Sequence, residues 1–496
     1  MSLWQSIPFV CILLPLGAAA VTAALPTRHA RYVAGLILLV QTVLSAVLFV
    51  RMSAGEESFV YMMGHYPAPW GNEIRVGLLE SFIGLFFSLV MTLSVVGGVF
   101  VMEQELLSDR HSLMAALLLL LSSALQAQVY TNDLFTAYVF VEIMTISAVG
   151  LIAAHDTGRG QVAAMRYLIM NLIGSALFLL SIILLYDLTG HLLMSPIREA
   201  VAGLQESGAW KLPLTVVVAL MCGGLAIKSA LWPFHTWVPD AYGTSTPAAS
   251  AILSSLVSEG YIFLLVKLFW RMLGTETVVS THVSDMLLFF GIVGMIAGSL
   301  GAIRQQNIKR IIAWSSVAQI GYMYMGIGLG TAAGLQAACF HILSHAAAKA
   351  LLFLSANSLH AVSGSYRMEY IQGAGRRAPV AAAAFMVGAL SLIGIPFTGG
   401  FASKWFFAQA GLAYGGPRMI LVFAALVIST ALNVIYFMGT IIRIFRPAED
   451  GLARPDKRVG PLRYVALAGL AGLTVLLGCI PGQVMSWIME GLSRFG

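Results

Sequence analysis

The sequence predicts an all-α integral membrane protein of about fourteen transmembrane helices, with two inverted five-helix repeats and broken helices in spans seven and twelve. Three observations carry that prediction. The 496 residues are 59% hydrophobic and only 10% charged, where soluble domains carry about 25% charged residues. The apolar runs reach the roughly 20 residues that a helix needs to cross a bilayer. Two short stretches, GGLAIK at 223–228 and GGFASK at 399–404, each put a lysine behind a pair of glycines inside such a run.

The spans are expected at 4–25, 31–51, 78–102, 112–130, 132–154, 164–188, 214–236, 246–270, 283–303, 308–329, 332–360, 380–411, 418–443 and 462–490. The first has no basic leader and no small-residue cleavage site, so it reads as a retained span. The longest loops, 52–77, 189–213 and 444–461, are too short for a soluble catalytic domain. Cys11, Cys222, Cys339 and Cys479 are scattered and form no CxxC pair, so iron–sulfur, zinc and disulfide frameworks are unsupported. No nucleotide-binding glycine motif stands between a strand and a helix. No cofactor and no metal are expected.

The net charge of +6 is not a nucleic-acid footprint, because the positive residues sit in loops, where they decide orientation. With the N-terminus outside, the inner loops hold Arg28, Arg31, Arg110, Arg159, Arg166, Arg304, Lys309, Arg310, Arg367, Arg376 and Arg377. They also hold Arg443, Arg446, Arg454, Lys457, Arg458 and Arg463. The outer side holds Arg51, Arg75, Arg198, Lys211, Arg271, Arg418 and Arg494. That asymmetry, roughly 17 against 7, places both termini outside a cell membrane.

The two glycine–lysine motifs fall five spans apart. An odd offset reverses topology, the mark of an inverted repeat. The division is spans 1–3 (1–111), a first repeat in spans 4–8 (112–270), a second in spans 9–13 (283–445), and a last loop and span (446–496).

An ionisable residue at the bilayer centre costs roughly 2.5–3.5 kcal/mol and is by default a functional candidate. Glu142, Lys228, Glu259, His341, His345, Lys349 and Lys404 stand near span centres. Glu142 is the one charge of span five beyond Asp133 at its start; its plain alternative is static pairing with a neighbouring helix. Pro233 lacks an N–H and clashes with the preceding turn, so span seven breaks just after Lys228. Pro396 and Gly399–Gly400 weaken span twelve just before Lys404. Its plain alternative is snorkelling to an interface. His341, His345 and Lys349 recur at every fourth residue and line one helix face. A row of groups with different proton affinities suits proton hopping better than a metal, for which no acidic partner has the right spacing.

Five stretches carry a resemblance: TNDLFTAYVFVE, IKSALWPFHTWVPDAYGTSTPAASA, IRQQNIKRIIAWSSVAQIGY, HILSHAAAKALLFL and GIPFTGGFASKW. They resemble the antiporter-like proton-translocating subunits shared by respiratory complex I, Mrp-type Na⁺/H⁺ antiporters and membrane-bound group 4 hydrogenases. The likeness runs from about residue 75 to 445, and the D subunit of Mrp antiporters looks nearest, with GHYPAPWG before span three a weak addition. The resemblance implies fourteen spans, two inverted repeats and a polar chain along the membrane midplane. It assigns Glu142, Lys228, His341, His345, Lys349 and Lys404 to that chain, with Arg166 the basic residue opening span six. Glu80 stands where the family usually has aspartate. Glu259 stands where the family usually has a lysine, which reverses the charge in mid-relay: either it carries protons in place of the lysine, or the subunit handles a cation there, or one half-channel is inactive. The lateral helix of the longest members is expected to be lacking after Gly496.

The expected mechanism is a relay, Glu142–Lys228–Glu259–His341/His345–Lys349–Lys404. Burial disfavours a charged lysine and a nearby carboxylate favours it. Moving Glu142 toward or away from Lys228 therefore switches whether the proton is kept. The sequence holds no energy source, so the chain is expected to be a subunit of an Mrp-like, hydrogenase-like or complex I-like assembly. It would move H⁺, and also Na⁺ in an antiporter reading, with no redox chemistry of its own. The competing readings are a stand-alone secondary transporter for a small solute and a membrane-embedded enzyme.

Overall fold

The computed structural model describes residues 3–66, 71–105, 110–155, 157–207, 210–447 and 460–494. Arg454, Lys457 and Arg458, and part of the GHYPAPWG stretch, lie outside the described residues.

The described chain is almost wholly helical. The helices are α1 (Ile7–Ala24), α2 (Thr27–Ser53), α3 (Leu78–Glu105), α4 (His111–Tyr130), α5 (Leu134–Ala153) and α6 (Gly158–Thr189). Next come α7 (Met194–Ser207), α8 (Lys211–Lys228), α9 (Val238–Thr244) and α10 (Pro247–Leu273). Then follow α11 (Val283–Ile303), α12 (Ile308–Gly328), α13 (Ala332–Ser363), α14 (Pro379–Ile393) and α15 (Gly399–Tyr414). The last are α16 (Gly416–Phe445), α17 (Pro461–Cys479) and α18 (Pro481–Ser493). Twelve of the described helices are long and apolar enough to cross a membrane: α1–α6, α8, α10, α11, α13, α16 and α17. This is a multi-pass membrane protein. The tenth expected span falls on α12, whose apolar character is diluted by Lys309, Arg310, Ser315, Ser316 and Gln319. The twelfth falls on the pair α14 and α15.

Burial sorts these helices into a centre and a rim. The most apolar windows of α10 and α13 are wholly buried, whereas those of α1, α2, α6, α16 and α17 are buried over less than half their length. A helix apolar all round is at home against lipid; one carrying charges must be enclosed by protein or water. The enclosed helices are indeed the charged ones: α10 holds Glu259 and Lys267, and α13 holds His341, His345 and Lys349.

Both expected breaks are present. A proline ring clashes with the carbonyl four residues earlier, and α8 ends at Lys228, just ahead of Ser229, four residues before Pro233. The chain then turns through Ala230 (φ 66°) and a 3₁₀ turn at Phe234–Trp237 into α9. Likewise α14 stops at Ile393, with Gly394 at φ 95° and Phe397 at φ 66°, before α15 begins at Gly399. Here Gly400 is needed: a β-carbon on it would stand 1.7 Å from the Ser391 carbonyl oxygen.

α10 runs unbroken but carries π-turns at Leu253–Val257 and Leu268–Leu273. They flank the segment that bears Glu259 and Lys267; such turns often mark functional sites.

One spacing recurs. Asp133 caps α5 through the Thr136 N–H, and Asn307, 174 positions later, caps α12 through the Arg310 N–H. Thr157 and Thr331 cap α6 and α13, both 32 residues long and both ended by a left-handed glycine, Gly190 and Gly364. The isolated bridges Asp133–Leu193 and Asn307–Arg367 keep the same interval.

Three expectations need correction. The last span is not one helix to 490: it divides at Ile480, where Pro481 starts α18. Arg271, counted with the outer loops, is buried inside the second π-turn and faces Glu80 at 3.6 Å. Lys309 and Arg463, counted with the inner loops, are buried as well. The 52–77 loop is partly ordered as an antiparallel hairpin, β1 (Phe59–Met62) with β2 (Glu73–Val76). It is stitched to the α4–α5 link by Asn132 N–H donating to the Glu73 carbonyl at 3.0 Å.

Candidate functional site: a buried polar line

The line begins where α5, α6 and α8 meet. Lys228 is wholly buried, and its Nζ donates to Glu142 Oε1 at 3.3 Å and to Thr145 Oγ1 at 2.8 Å. The Ser175 hydroxyl donates to Glu142 as well. The Glu142 side chain keeps a quarter of its surface exposed, so this end of the line reaches the outside of the molecule. Small residues let the helices close: a β-carbon on Gly224 would stand 2.6 Å from the Gly174 carbonyl oxygen.

From Lys228 the line passes into α10. Tyr261 lies under the ammonium, with its ring centroid 5.6 Å away, and its hydroxyl is 3.2 Å from Thr145 Oγ1. Glu259, two residues back on the same helix, is fully buried and hydrogen-bonds His345 Nδ1 on α13. Among the described residues no direct hydrogen bond joins Lys228 to Glu259.

On α13 the His345 and His341 rings stand 6.1 Å apart. His341 Nδ1 hydrogen-bonds Ser403 Oγ on α15 at 2.6 Å, and its ring stacks on Tyr322 of α12 at 5.5 Å. Tyr322 in turn lies under Lys404, whose Nζ is 5.5 Å from the ring centroid. Lys404 closes the far end. It donates to the Ile393 carbonyl at 2.6 Å, across the α14–α15 break, and to Thr430 Oγ1 of α16 at 2.9 Å.

Six of the eight candidates thus fall into two connected groups that both reach α10: Glu142 with Lys228, and Glu259 with His345, His341 and Lys404. Lys349 stands beside the second, one turn beyond His345. It is held by the Ile312 carbonyl at 2.8 Å and by the Ser315 hydroxyl, within electrostatic reach of Glu259. Arg166 is away from the line. Its guanidinium is largely exposed and pairs with Asp240 at 2.7 Å, and Arg310 holds the other oxygen of that carboxylate at 3.0 Å.

The buried line leaves polar atoms without a protein partner among the described residues: Glu259 Oε2, His341 Nε2, His345 Nε2, Ser344 Oγ and both amide atoms of Gln319. Unpaired buried polar groups are costly and are usually met by ordered water. The arrangement therefore suits carriage of protons through mixed side-chain and water links. Thr145, Ser175, Tyr261, Tyr322, Ser403 and Thr430 belong to it but escaped the sequence reading. Hydroxyls leave no charge signal in a hydrophobic run, and only their helical register with the acids and bases could have pointed to them.

The family model described as "NADH:quinone oxidoreductase/Mrp antiporter, TM" matches residues 131–430. The chain belongs to this family. All eight candidate residues fall inside the matched segment. Among curated proteins, the N subunit of an NADH-quinone oxidoreductase from Desulforudis audaxviator is 30% identical over 505 residues, covering 98% of either chain. The D subunit of a Na(+)/H(+) antiporter from Alkalihalophilus pseudofirmus is 27% identical over 439 residues, covering 87% of this chain and 85% of that one. Among solved structures, a chain of an archaeal membrane-bound sulfane sulfur reductase matches with TM-score 0.88 and 25% identity, covering 99% of this chain and 98% of its own. A chain of the Mrp complex from Dietzia matches with TM-score 0.86 at 22% identity, covering 100% and 98%, a likeness of fold alone. Family membership bears out the resemblance on which the sequence reading rested.

Proposed function

We propose that this chain is a proton-translocating membrane subunit of a larger assembly, and that the line from Glu142 to Lys404 carries the protons. The observation that carries this reading is that acids, bases and hydroxyls from α5, α8, α10, α13 and α15 form two largely buried groups that both reach α10, with unpaired atoms that water can bridge. Two lysines and two histidines along the line, with Lys349 beside it, present N–H donors rather than a cage of oxygens, which favours protons over a metal cation. Energy comes from partner subunits. The membership of related chains in multisubunit respiratory and antiporter complexes supports that assignment.

The reading includes two inverted repeats, 112–270 and 283–445, supported by the recurring interval of 174 positions in caps, bridges and helix lengths. It also places both termini outside. Ion pairs support that sorting: Arg166 and Arg310, both counted as inner, share Asp240, while Arg418, counted as outer, meets Asp285 at 2.5 Å.

The test is Lys228→Ala in the intact complex, reconstituted in vesicles with a pH-sensitive dye inside. Assembly is retained and proton transport is lost. Transport at the parent rate would remove the relay.

A further inference from the structure

A second buried polar group lies where α3, α4 and α10 meet, at the end of the molecule that carries the hairpin. Its charged members are Glu80, Lys267 and Arg271, all but inaccessible. Arg271 faces Glu80 at 3.6 Å, and Glu80 Oε2 accepts the Gly77 N–H at 3.1 Å. Arg75 and Glu73 on the hairpin lie within electrostatic reach. The cluster therefore sets three cations against two carboxylates.

Lys267 differs from the lysines of the relay. Its Nζ donates to three backbone carbonyls at the end of α4, those of Gln128 at 3.3 Å, Val129 at 2.8 Å and Thr131 at 2.6 Å. An ammonium has three N–H donors, and all three are engaged. Loss of a proton would strand one of those carbonyls. Lys228, Lys349 and Lys404 each donate to two partners, which a neutral amine can still serve. Arg271 is a guanidinium, which stays charged in proteins. Lys267 and Arg271 are the two buried cations of this cluster, each held by fixed partners.

Beside this cluster, and reaching toward the Glu259 turn of α10, stand polar atoms without a hydrogen-bond partner among the described residues. Gln128 is 1% exposed, yet neither atom of its amide has a partner among the described residues. A β-carbon built on Gly260, the neighbour of Glu259, would lie 3.3 Å from Gln128 Oε1. Gln126 Oε1 and the Tyr130 hydroxyl are likewise unpaired and face Gly84, one turn along α3 from Glu80. Amides and a phenol aimed into a sealed junction are groups that ordered water satisfies.

We propose that this junction is an electrostatically plugged side route: hydrated at Gln126, Gln128 and Tyr130, it leads from Glu259 toward the hairpin-bearing face, and Lys267 and Arg271 close it to protons and metal cations. Buried positive charge in a narrow polar passage excludes cations while tolerating water. The plug keeps the relay from leaking through its midpoint. The proposal rests on the relay reading of Glu259.

The experiment uses the intact complex in sealed vesicles, with passive proton influx measured under an imposed potential and no energy source. Arg271→Gln raises the influx about tenfold, the effect of removing roughly 1.4 kcal/mol of barrier, while Arg271→Lys stays tight. Adding Gln128→Leu to Arg271→Gln makes the vesicles tight again, which general damage to the fold would not do. Should Arg271→Gln fail to assemble, Gln128→Glu offsets the plug from inside and opens the same leak. Tight vesicles with assembled Arg271→Gln or Gln128→Glu, or a leak that persists in the double variant, overturn the plug. Lys228→Ala in the same vesicles separates the two readings. If it abolishes driven transport while Arg271→Gln stays tight, only the plug falls; if driven transport survives Lys228→Ala, the relay falls first.

Discussion

Replacing Gly400 with alanine adds one methyl group at the α14–α15 break, and the structure fixes what it meets. The new β-carbon would stand 1.7 Å from the Ser391 carbonyl oxygen and 2.6 Å from its carbon. Ordinary contact begins near 3.4 Å, so the two half-helices must part by well over 1 Å, and both obstructing atoms are backbone. Overpacking of this kind costs about 1–3 kcal/mol. The displacement also reaches Lys404, one turn on, whose bond to the Ile393 carbonyl crosses the break at 2.6 Å. Losing one such charged hydrogen bond costs about 1.5–3 kcal/mol more. Assembled complex is measured on native gels and proton transport in vesicles, per unit of assembled protein. Gly400→Ala lowers assembly and, in what assembles, slows transport about tenfold or more. Gly224→Ala behaves alike, because its β-carbon would stand 2.6 Å from the Gly174 carbonyl oxygen. Gly223→Ala is the control, its nearest neighbour being Leu177 Cδ1 at 4.0 Å. Parent-level transport in Gly400→Ala, or equal damage in Gly223→Ala, refutes this account of the motif.

Glu142→Gln keeps the shape but removes the carboxylate 3.3 Å from Lys228. At an effective dielectric of about 20 that attraction is roughly 5 kcal/mol before solvent screening, so the complex assembles and transport falls below about a tenth. Ser403→Ala leaves the buried His341 Nδ1 without its 2.6 Å partner. Melting of the purified complex then shows a loss of about 1–3 kcal/mol, with slowed transport. Arg166→Ala removes a largely exposed pairing with Asp240, an interaction worth about 0–1 kcal/mol. Both assembly and transport stay near the parent, and a severe transport defect would put Arg166 into the line.

Much of the fold was legible because a bilayer leaves the backbone few options. Hydrophobic length located the spans, and Pro233 and Pro396 located the breaks to within one turn. The spacing of His341, His345 and Lys349 gave a shared helix face, but it could not say what that face meets. The three residues touch α15, α10 and α12 respectively, so the row fans out and Lys349 falls to one side. Arg166 stands apart from the line for a related reason: a basic residue at the start of a span looks the same in the sequence whether it points inward or outward. Arg271 looked like a loop residue because nothing in a linear count reveals the π-turn that draws it inside. The hydroxyl partners were invisible, since serine and threonine in a membrane helix more often bond to their own backbone, as Ser229 and Thr145 do to Leu225 and Val141.

Lys404 joins α14, α15 and α16 through a single amine. A hydrogen bond from a charged donor is about twice as strong as one from a neutral donor. In the proposed relay, each arrival or departure of a proton at that nitrogen therefore tightens or slackens two clasps at once. The discontinuous helix becomes its own transmission: the chemical event and the mechanical stroke share one atom, with no separate lever between them.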